Sequence, residues 1–148
     1  MTHKVFVRDI SRIVFVEGLR AGGALGACVV VLAIVGLTPS LSWLPEVPLV
    51  GGAIVLPVAT YGLTGYRAGK RSGRVLAGTI AASLAGAISG AVGGVAYVLF
   101  GKPALNILVG VLLGAVGGTI VGTAGGWLSR RTSAVSRQDL ASIGRATD

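Results

Sequence analysis

Gly110, Gly114, Gly118, Gly122 and Gly126 recur at every fourth position of one long uncharged stretch. In water, glycine weakens a helix interior because it loses the most backbone freedom on folding. In lipid the same residue lets two helix backbones approach closely, and small residues four apart mark such contacts. The stripe therefore predicts a transmembrane helix built for tight packing. Steps of four advance about 400°, so the glycine face drifts by about 40° per step and winds slowly around the helix. That winding suits the right-handed crossing of Gly-xxx-Gly pairs. Asn106 lies one step before Gly110 on the same face. A second series, Gly78, Ala82, Gly86, Gly90 and Gly94, occupies the preceding apolar run. The two runs are expected to pack on each other, leaving Gly93, Gly117 and Gly125 as small surface for a partner helix or a second copy.

Hydrophobic residues make up 53% of the 148 positions and charged residues only 12%, more apolar surface than a small soluble core buries. The 25 glycines follow no three-residue period and lie among Val, Ile, Leu and Ala, which excludes collagen and low-complexity disorder. Four uncharged runs, about 21–38, 47–66, 75–100 and 104–128, are each close to or beyond the length that crosses a hydrocarbon core of about 30 Å. The third and fourth exceed it, so tilt or protrusion is expected.

The net charge of +8 orients these runs. Lys4, Arg8, Arg12 and Arg20 precede the first; Arg67, Lys70, Arg71 and Arg74 fill a short loop; Arg130, Arg131, Arg137 and Arg145 follow the last. Lys102 alone stands elsewhere. By the positive-inside rule both termini and the 67–74 loop are cytoplasmic. The Pro39-to-Glu46 connection and the Gly101-Lys102-Pro103 turn are then outside, making two antiparallel hairpins. Tyr66 and Trp127 fall at the inner interface, and Trp43, Tyr97 and Phe100 at the outer one, where amphipathic rings prefer to sit. A nucleic-acid role for the basic residues lacks the water-facing aromatic platforms such proteins use. Arg67, Lys70, Arg71 and Arg74 are positioned to meet lipid head groups, worth roughly 1 kcal/mol each.

Residues 1–20 mix Ile10, Ile13 and Val14 at helical spacing with charges, as a surface-lying amphipathic helix requires. The alternative is a first span that begins near Ile13. Residues 129–148 form a polar tail, disordered by default. Cys28, the single cysteine, permits no internal disulfide, and the apolar stretch that follows it argues against a lipoprotein site. No cleavable leader is expected. Gly90-Ala91-Val92-Gly93-Gly94 recurs as Gly114-Ala115-Val116-Gly117-Gly118, which composition explains more simply than duplication.

Within the second run, Pro57 removes a backbone donor and is expected to kink the helix. Kinks of this kind line substrate paths in some transporters, though more often they only shape packing. Thr60, Tyr61 and Thr64 would then line a polar path, with Asn106 at its outer end. Glu17 and Arg20, at i, i+3 spacing on the inner edge of the first span, are an interfacial ion-pair candidate. Spans two to four hold no Asp, Glu, Lys, Arg or His, so a proton relay has little material. Ser89 has no membrane histidine to activate it, and no phosphate loop, zinc spacing or acid pair appears. No catalytic residue, cofactor or metal is expected.

These features predict an all-α integral membrane protein: a Gly-xxx-Gly-packed four-helix bundle, with both termini cytoplasmic. Its Gly/Ala/Arg-rich style and short loops suggest a bacterial inner membrane. The expected role is non-enzymatic: an accessory or self-assembling subunit that packs on partner helices among membrane lipids. The alternative is a homo-oligomeric channel or small-solute transporter.

Overall fold

Four helices make up the described chain in a computed structural model: α1 (Thr2–Leu37), α2 (Glu46–Ser72), α3 (Val75–Leu99) and α4 (Leu105–Arg145). The structure describes residues 2–37 and 46–145, with side chains for 10–35 and 51–132. The turn expected at 39–45, with Trp43, lies outside the described residues. Helices satisfy every interior backbone group within one segment, which a hydrocarbon solvent demands. That explains how a chain so rich in glycine is helical almost throughout.

Three stretches are long and apolar enough to cross a membrane: Ile10–Val35, Val75–Leu99 and Leu105–Thr132. The expected second span, 47–66, is not among them. Over its described side chains α2 carries Thr60, Tyr61, Thr64 and Tyr66, then Arg67, Lys70 and Arg71, and this polar half lowers its apolarity. Arg20, expected to precede the first span, lies within a continuous helix. α1 continues as one helix of 36 residues, and the candidate span Ile10–Val35 includes Arg20. The polar tail likewise extends α4 as helix to Arg145 instead of ending at Leu128.

The expected basic loop is mostly helix. Arg67, Lys70 and Arg71 sit in the last turns of α2, where cations oppose the negative end of the helix dipole. Gly73 ends that helix with φ 68°, a conformation glycine adopts without strain. The opposite turn is a Schellman motif. The Lys102 N–H donates to the Tyr97 carbonyl at 3.1 Å, and the Gly101 N–H to Val98 at 2.9 Å. Gly101 supplies the required positive φ of 79°, and Pro103 then prevents continuation.

α3 is the central helix. It packs on α1, α2 and, most extensively, α4; α2 also packs on α4 and more sparsely on α1. Among the described residues α1 and α4 do not meet. The section is thus a rhombus, with α2 and α3 across its short diagonal. Its interior is lined by small residues: Ala77, Ala81, Ala82 and Ala85 are buried, joined by Leu25 and Tyr61. The large aliphatics point outward, including Ile54, Leu76, Leu113 and Ile120. Contiguous apolar surface on this scale belongs in lipid or under a partner.

Candidate functional site

Along the α3–α4 seam the two glycine series meet backbone to backbone. A Cβ added at Gly86 would fall on the Gly114 carbonyl, and one at Gly114 on the Gly86 carbonyl. Gly90 and Gly110 face each other in the same way, and Gly118 abuts the Ala82 carbonyl. Gly94 closes the row, its added Cβ 2.5 Å from the Ile107 Cα and 2.7 Å from the Asn106 carbonyl.

Further along, the stripe keeps its contact with α3 and meets α2 as well. Gly122 touches Ala82 of α3 and also faces Gly65 of α2, while Gly65 and Gly78 lie in direct contact. Three helices therefore converge on Gly65, Gly78 and Gly122. Below them Gly125 rests on the Gly62 carbonyl, and a Cβ at Gly69 would stand 2.7 Å from the Ser129 hydroxyl. Gly126 packs on Val75.

The glycines expected to be left over for a partner are occupied within the chain. Gly93 faces Val29, Gly117 faces Tyr61, and Gly125 lies on α2. A further series, not among the expected packing glycines, is Gly18, Gly22 and Gly26, which seat α1 on Ala81, Ala85 and Val92 of α3. The every-fourth spacing was present in the sequence, but Glu17 and Arg20 masked it by suggesting an interfacial segment. Helical glycines with open space around them are Gly23 on α1 and Gly51 and Gly52 on α2.

Glu17 is 8% exposed, and its carboxylate accepts a short hydrogen bond from Arg71, not from Arg20. Arg20 is exposed; i, i+3 spacing leaves it within reach of Glu17, but the end of α2 supplies the cation instead. At the same end Lys70 lies over the Tyr66 ring, 5.9 Å from its centroid, and Arg131 over Trp127 at 3.7 Å. Arg67 and Arg74 are exposed there too.

Towards the turn end the bundle loosens. A cavity of about 320 Å³ brings together Pro57, Tyr61, Ser89 and Asn106. Ser89 donates to the Gly86 carbonyl at 3.1 Å, so the Tyr61 hydroxyl, 3.0 Å from Ser89, supplies the proton of that bond. The pair forms a polar end to an otherwise apolar space. Thr60 and Thr64 lie off the cavity; the Thr64 hydroxyl bonds back to the Thr60 carbonyl at 2.7 Å. Of the expected polar path, Tyr61 and Asn106 are brought together, and Ser89 takes the place of the threonines.

Comparison with protein-family models, curated proteins and solved structures returns no match. The functional reading therefore rests on the geometry alone.

Proposed function

We propose that the chain is a non-enzymatic subunit of a bacterial-type inner membrane, with four spans and both termini cytoplasmic, that docks on other transmembrane helices. What supports four spans is the course of α2. It contacts α3 and α4 from Gly69 to Tyr61, its Pro57 lines a cavity shared with both, and its Gly52 lies in a cavity shared with Phe100 and Lys102. A helix flanking two spanning neighbours over that distance shares their depth. What supports the orientation is the gathering of the basic residues Arg67, Lys70, Arg71, Arg130 and Arg131 at the end where Tyr66 approaches Thr132 and Arg71 meets Glu17.

The observation that carries the docking role is the distribution of glycine contacts. Most described helical glycines are used for close approach within the chain; Gly23, Gly51 and Gly52 have no neighbour within 4 Å, and of these Gly23 alone is exposed. Gly23 and Ala27 lie one helical step apart on an exposed face of α1, which is the small-xxx-small arrangement that admits a second helix. Docking is thus assigned to α1, and the α4 stripe serves the fold.

A second reading, passage of a small solute, is favoured by the cavity at Pro57, Tyr61, Ser89 and Asn106. One experiment addresses both. The Gly23→Leu/Ala27→Leu variant adds bulk where Gly23 has open space, so the fold is expected to persist. In mild detergent its cross-linked oligomers or co-purifying partners should fall at least tenfold, about 1.4 kcal/mol of association. Undiminished assembly contradicts the docking role, and solute flux through liposomes holding the dispersed variant supports the second reading.

A further inference from the structure

The bundle has one feature that neither close packing nor docking at Gly23 uses. A groove of about 470 Å³ runs between α1 and α2, with α3 as its floor. Leu25, Val29 and Leu32 form one wall, Leu56 and Pro57 the other, and Phe100 closes the turn end. It exists because α1 and α2 pack sparsely on each other while both are seated on α3.

The one charged residue of the lining is Lys102, whose backbone is fixed by the Schellman turn. Lys102 is the one basic residue of the chain that stands apart from the three basic clusters. The groove is therefore a long apolar trough with a cation at the membrane-surface end. An acyl chain restores the dispersion contacts that an unfilled trough would forgo. An ammonium on a flexible stem at that depth suits a phosphate head group.

We infer that the groove holds one acyl chain of an anionic phospholipid whose phosphate rests on Lys102. The inference requires only that the helices lie in a membrane, because phosphate head groups border both leaflets. It is independent of docking through Gly23 and Ala27, neither of which lines the groove.

The test is native mass spectrometry of the full chain, delipidated in detergent and titrated with three probes. These are palmitoyl-oleoyl phosphatidylglycerol, phosphatidylcholine with the same chains, and oleate. Phosphatidylglycerol should occupy the tightest site, ahead of the other two. Lys102→Gln should weaken that first binding roughly fivefold, the worth of one head-group cation. Gly52→Leu directs bulk into the groove from a position with no neighbour within 4 Å, so it should abolish the first binding without unfolding the protein. Lys70→Gln, at the opposite end, should leave it unchanged. Equal first binding by the wild type, Lys102→Gln and Gly52→Leu overturns the inference. So does oleate or phosphatidylcholine binding as tightly as phosphatidylglycerol.

Discussion

Valine at both Gly86 and Gly114 should separate α3 from α4 and unfold the bundle in conditions the native chain withstands. Each new Cβ would fall on a main-chain carbonyl of the facing helix. No rotamer change relieves a clash with backbone, so the helix axes must part. Parting them at this level also opens Gly90 against Gly110 and Gly118 against Ala82. In lipid no hydrophobic drive compensates, because acyl chains are as apolar as the lost surface; close packing is itself the attraction. Overpacking a soluble core costs about 1–3 kcal/mol, and two backbone-directed clashes on one seam should exceed the top of that range. Titration with a denaturing detergent, followed by tryptophan fluorescence, reads the loss. Leu113→Ala, on the exposed face of α4, should leave the midpoint close to native. A native midpoint for the valine pair would show that the seam is not in contact.

Removing the Arg71 guanidinium should loosen α1. The Glu17 side chain is only 11% exposed, so without Arg71 its carboxylate loses the partner that makes burial tolerable. Breaking a fully buried pair costs 3–5 kcal/mol, but the Arg71 side chain is 60% exposed, and solvent screening reduces the expected loss to about 1–2 kcal/mol. The effect is directional. Arg71→Ala should destabilise more than Glu17→Gln, and Arg71→Ala in the Glu17→Gln background should cost little. This bridge ties α1 to α2, the pair with the sparsest packing in the bundle, so its loss should appear first as faster proteolysis of α1. A double-mutant cycle in the same detergent titration measures the coupling; additive single effects would contradict it.

How much of this was legible in the sequence depended on whether a signal was local. The pairing of the 75–100 and 104–128 runs was legible, because Gly86, Gly90, Gly110 and Gly114 repeat at helical spacing on either side of a three-residue turn. The meeting of α4 with α2 as well as α3 from Gly122 onward needed the position of Gly65, which no local pattern supplies. Glu17 shows the same limit. Its sequence neighbour Arg20 was the local choice, and Arg71, 54 positions away, took the contact because α2 ends beside α1. Pro57, Tyr61 and Asn106 were legible as polar or irregular positions. Ser89 has no local neighbour that marks it, and its role as the acceptor for Tyr61 depends on a helix crossing.

Opposite exposure of the two hairpin turns is the most direct test of a membrane-spanning bundle with its basic end inside. Single cysteines at Arg74, Lys102 and Thr132, in a Cys28→Ser background, would be treated with a membrane-impermeant maleimide on intact cells. Labelling is expected at position 102 alone, with 74 and 132 reacting only after the membrane is opened. Reaction of 74 and 102 from the same side would mean that α3 does not cross the bilayer, and the bundle described here would be wrong.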